Sequence, residues 1–150
     1  MLIAAKVMGA DVIAGVEPAT NYDAVFSLLC ELNAVDQKRT TRFPSLIGGE
    51  VSADTITVDY VREHLSLDRI DFLKCDIEGG EYDIFTADSD WLECCGDIAM
   101  EVHPWGNRET LANTIRAKGF EVITTDQHNR PCQASHAEYL YASSRGNLIA

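Results

Sequence analysis

The sequence predicts an α/β fold in a single domain over 1–150, built on a mostly parallel sheet, and three observations carry that expectation. The composition is that of an ordinary globular chain, 46% hydrophobic and 24% charged over 150 residues, enough to bury one sizeable core and rarely two. Short apolar runs bounded by turn residues alternate with segments of helical spacing, as in layered α/β proteins. Polar residues stand at the ends of the apolar runs, where sheets of this kind bind ligands.

Residues 1–8 are apolar except for Lys6, with no capping residue ahead of them, and read as a helix entered part-way. Val12 to Val16 is a short apolar run closed by Glu17-Pro18, suited to a buried parallel strand. Thr20 or Asn21 is expected to cap a helix whose Val25, Phe26, Leu28, Leu29 and Leu32 recur at helical spacing. Residues 33–55, with Pro44 and Gly48-Gly49, read as an irregular loop. A helix from Val58 to Leu65 follows, then a strand from Ile70 to Ile77, broken helices from Tyr82 to Cys95, and a strand from Asp97 to Val102. Asn107 suits the cap of a helix that carries Leu111 and Ile115 inward and stops at Gly119. Phe120 to Thr124 and Tyr139 to Ala142 supply the last strands.

Charge and cysteine usage narrow the function classes. The net charge of −12 repels a phosphate backbone, and the basic group Lys38, Arg39 and Arg42 is short enough for a solvated loop, so neither nucleic acid nor an anionic membrane is expected as a partner. No apolar stretch reaches the roughly 20 residues of a membrane span, and a cytoplasmic location is expected. Five cysteines cannot form a closed disulfide framework, which suits a reducing compartment. Cys30 and Cys75 lie in apolar segments and read as core residues, while the adjacent pair Cys94-Cys95 has no zinc or redox spacing. His128, Cys132 and His136 are spaced as ligands on one helix face, but Pro131 argues against that helix.

The strand ends carry the candidate chemistry. Glu17 ends the first visible strand, either as a ribose-binding acid or as a solvated turn residue. Lys74 and Asp76 share one face of their strand, and Glu101 and His103 share one face of theirs. If the strands are neighbours, these groups converge, and Asp76 or Glu101 partners Lys74 in a site or in a structural ion pair. Asp76, Glu78 and Glu81 set three carboxylates around Gly79-Gly80, a constellation that serves a ligand, a cation or only a solvated turn. His103, ahead of Pro104-Trp105, is placed to take a proton near neutral pH or to serve as a structural residue.

The run from Ile70 to Glu81, IDFLKCDIEGGE, resembles the I-D-x-L-K-I-D-V-E-G-x-E signature of the FkbM family of S-adenosylmethionine-dependent methyltransferases. Val12 to Pro18 is similar to that family's strand ending in Glu-Pro, Leu32-Asn33 to the close of its next helix, and Met100 to Pro104 to its E-x-H segment. The resemblance implies a Rossmann-like methyltransferase sheet and methyl transfer to a hydroxyl of a sugar or other secondary metabolite. It assigns Glu17 and Asp76 to the cofactor, Asp76, Glu78 and His103 to catalysis with His103 as base, and Lys74, Glu81 and Glu101 to supporting places. It also implies a first strand and glycine-rich loop ahead of Met1 and a third strand between Asn33 and Thr55. The sheet is therefore expected to be incomplete, with its first and third strands missing, and its exposed edge points to a homodimer or other self-association. An inactive derivative that binds small molecules or protein partners is the alternative, and a metal-assisted variant through Asp76, Glu78 and His103 is a third reading.

Overall fold

The computed structural model describes residues 9–86 and 88–146, so the helix expected over 1–8 lies outside the described residues. The chain divides into two compact units, one up to Ile56 and one from Thr57 onward.

In the first unit, β1 (Ile13–Val16) pairs in parallel with β2 (Thr40–Phe43), Ile13 opposite Thr40 and Val16 opposite Phe43. Helix α1 (Asp23–Leu32) connects them, and residues 33–55, expected to be irregular, in fact supply β2. Its sequence Thr-Thr-Arg-Phe is polar at three of four positions and hides the strand from a hydrophobic pattern, but Thr and Phe both suit a pleated surface. A second parallel pair, β3 (Leu46–Ile47) with β4 (Thr55–Ile56), follows. Neither Thr20 nor Asn21 caps α1: residues 20–22 form a 3₁₀ turn that runs into the helix, whose N-cap is Tyr22 without a side-chain bond. The helix docks through Cys30 and Phe26 onto Ile13 and Val35, while Val25, Leu28, Leu29 and Leu32 are exposed. Helical spacing locates the helix but does not choose the side that meets the core.

In the second unit, α2 (Val58–His64) leads to a four-stranded sheet of order β5-β6-β8-β7. Its strands are β5 (Ile70–Cys75), β6 (Cys95–Glu101), β7 (Glu121–Thr125) and β8 (Tyr139–Ser143). β5 pairs with β6 in parallel, and β8 is antiparallel to both β6 and β7, so β5, β6 and β7 point one way with β8 inserted against them; the two small sheets are parallel throughout. The expected helices over 82–95 reduce to α3 (Glu81–Ile84) and a 3₁₀ turn over Asp90–Cys94, because the strand takes over at Cys95. Cys95, Ile98, Met100, Leu140 and Ala142 are buried along β6 and β8, as are Leu111 and Ile115 of α4 (Arg108–Ala117). Asn107 caps α4 by accepting from the Thr110 amide, and Gly119 ends it at φ +92°. Cys30 and Cys75 are buried, as the sequence suggests. Among the described residues no helix is long and apolar enough to cross a membrane.

Candidate active site

The site in the second unit is built where β5 and β6 end side by side. Lys74 stands opposite Ala99 and Cys75 opposite Met100, so the chain leaves both strands at the same edge. Beyond β5 it turns through Glu78 at φ +52° and Gly79 at φ +99°, two successive left-handed positions that reverse it into α3. Gly79 is required here twice over, by its φ and because a Cβ would run into the Trp105 ring.

Asp76, Glu78 and His103 come together at this edge, with donor atoms within 4.8 Å of one another. His103 Nε2 lies 3.5 Å from Glu78 Oε2, and its Nδ1 lies 3.2 Å from Glu81 Oε1. The same Glu81 oxygen accepts from the His103 amide at 2.7 Å, and Oε2 accepts from the Gly79 amide at 2.9 Å. Glu81 is wholly buried, while Asp76 and Glu78 are exposed. A carboxylate stripped of water is tolerable only with such donors around it. The Tyr82 hydroxyl donates to the His103 carbonyl at 2.5 Å, and the Trp105 ring stacks on the imidazole at 5.1 Å and 15°. His103 is thus held at both ends of its backbone and on one ring face.

Lys74 pairs with Asp76 at 3.1 Å and not with Glu101, and the pair is solvated rather than buried. Glu101 ends β6 opposite Tyr139 of β8, and its carboxylate makes no hydrogen bond or ion pair among the described residues. Burial first, then the nearby Glu81 charge, pushes the Cys75 thiol up to about 12; the same two causes raise the Tyr82 hydroxyl. Two carboxylates and an imidazole so close also have the donor chemistry of a divalent-cation site. His128, Cys132 and His136 form no such cluster among the described residues, and their segment holds a turn, Pro131 and a 3₁₀ turn instead of a helix.

In the first unit, Glu17 follows β1 and its amide donates to the Phe43 carbonyl at 3.1 Å. Its Oε1 accepts from the Ala19 amide at 2.9 Å, and Oε2 makes no hydrogen bond among the described residues. Arg42 donates to the carbonyls of Glu17 and Ala19 and pairs with Asp23, fixing the turn that presents the carboxylate.

Residues 8–130 match the methyltransferase FkbM domain, a span that covers most of the chain. The chain belongs to the FkbM methyltransferase domain family. No curated protein and no solved structure matches it significantly. Every site residue described above lies inside the span matched to the FkbM domain. Tyr82 and Trp105 also belong to the site and escape sequence reasoning, although each sits within two residues of one already singled out, Glu81 and His103. An apolar aromatic beside a motif reads as core in sequence, and only the fold turns Trp105 outward at 64% exposure.

Proposed function

We propose that this chain carries out S-adenosylmethionine-dependent O-methylation of a small hydroxyl-bearing acceptor, a sugar or a comparable metabolite. Membership of a methyltransferase family supports the reaction class. The observation that carries the reading is the convergence of Asp76, Glu78 and His103 at the paired ends of β5 and β6. In α/β sheets such strand ends face the ligand crevice.

The residues present suit the cofactor. At the strand ends of the second unit, Asp76 offers a carboxylate that can accept from the cofactor's hydroxyls. S-adenosylmethionine, when bound, supplies a methyl group already activated on a sulfonium. The chain's own work is then positioning and proton transfer. His103 takes the hydroxyl proton, and Glu78 and Asp76 orient the acceptor by accepting from its neighbouring hydroxyls. Lys74 holds Asp76 in place through the 3.1 Å pair.

The test is calorimetric titration of the 150-residue protein with S-adenosylhomocysteine, backed by thermal shift. Ligand at about 100 times its dissociation constant adds roughly 2.7 kcal/mol of stability, a visible rise in melting temperature. Binding, followed by methyl transfer to a panel of sugars and phenols that His103→Ala lowers roughly 100-fold or more, is the expected result. Absence of heat and of any shift overturns the reading.

A further inference from the structure

We propose that Glu81 is a positioning residue that commits His103 to the Nδ1–H tautomer and leaves Nε2 as the proton-accepting nitrogen. Its part in catalysis rests on the methyl-transfer reading; the tautomer itself does not.

The hydrogen-bond geometry leads there in three steps. Glu81 is wholly buried, and the groups around its carboxylate are the Gly79 amide, the His103 amide and the His103 Nδ1. The two amides are obligate donors, one on each oxygen, so both oxygens act as acceptors. Against the carboxylate form, which two amide donors suit, Nδ1 at 3.2 Å from Oε1 brings the proton itself. A neutral imidazole has one N–H, so Nε2 keeps its lone pair, and it is Nε2 that lies on the side of Glu78, 3.5 Å from Oε2. The ring has little freedom to escape this assignment, because Tyr82 pins the His103 carbonyl and Trp105 covers one face. A carboxylate that orients a histidine through its far nitrogen is a general device wherever the near nitrogen has work to do.

A purely structural Glu81 would tie the turn after β5 to the end of β6 through the two amides alone. In that case the ring would keep the Nε2–H form that free histidine favours.

The experiment is two-bond proton–nitrogen correlation of the histidine rings in the nitrogen-15-labelled full chain, at a pH above the histidine range, with His103 assigned through His103→Asn. The wild type is expected to show the Nδ1–H pattern. Glu81→Ala opens room for water, which donates as readily as it accepts and imposes no tautomer, so the ring is expected to move to Nε2–H. With an acceptor in hand, Glu81→Ala is expected to lower kcat roughly 10- to 100-fold with little change in KM. An Nε2–H ring in the wild type overturns the proposal, as does an Nδ1–H ring that persists in Glu81→Ala. If that variant does not fold, the wild-type spectrum decides alone. The two readings fail separately: an Nδ1–H ring in a protein that binds no S-adenosylhomocysteine removes the methyl-transfer reading only, and an Nε2–H ring in one that binds it removes the positioning role only.

Discussion

Single residues here are held by the chemistry of their immediate neighbours, and each arrangement has a measurable consequence. Cys75 and Cys95 are buried and their thiols are pushed up to about 12, in both cases chiefly by burial. The thiolate is the nucleophile, so alkylation of the native protein near neutral pH is expected to leave both unlabelled by peptide mass spectrometry. Labelling of either would show that the β5–β6 edge opens. At Gly79, alanine is expected to cost about 1–3 kcal/mol in chemical denaturation, since φ is +99° and the Cβ would meet Trp105. Asp126 accepts from the amides of His128 and Arg130 and from the Arg130 guanidinium, which holds its carboxyl down at about 2. A carboxyl lowered on folding contributes its stabilisation above its ordinary value of about 4 and loses it as pH falls toward about 2. A carboxyl carbon titration should place Asp126 near the lower value, and Asp126→Asn should remove the acid loosening of the 126–130 turn.

At the scale of elements, what marks a segment in sequence is its ends as much as its periodicity. The α4 helix is legible because Asn107 caps it, Leu111 and Ile115 lie on one side, and Gly119 stops it. Removing the cap with Asn107→Ala is expected to cost about 1 kcal/mol in thermal or chemical melts, with strand packing untouched. Replacement by Asp should restore most of it, because the cap needs only an acceptor for the Thr110 amide. The strand β2 is the opposite case. It has no uniform apolar run, and its Arg42 is retained for its bonds to the carbonyls of Glu17 and Ala19 and its pair with Asp23. Its partner β1 is apolar throughout and was expected as a strand from that alone.

At the scale of the whole molecule, self-association remains our expectation for this chain. The apolar residues Val25, Leu28, Leu29 and Leu32 of α1 are exposed, and β5 is an edge of its sheet with Phe72 partly exposed on it. Light scattering coupled to size exclusion is expected to give a mass above that of one 16.5 kDa chain, and a clean monomer across micromolar concentrations would refute it. The fold class follows from the alternation of segments, and most strands fall within a residue or two of where their apolar runs lie.

The sequence by itself determined the family, the order of most elements and the identity of the polar residues at strand ends, because local pattern and motif spacing are written along the chain. Only the tertiary structure decided which of those polar groups meet. It paired Lys74 with Asp76 and left Glu101 aside, since the register of β5 against β6 and the reversal at Glu78-Gly79 are set by packing between segments far apart in sequence. It also turned Glu81, one acid among three in the motif, into the buried one that grips His103. Burial is a property of what surrounds a residue in space, and spacing along a chain does not record it.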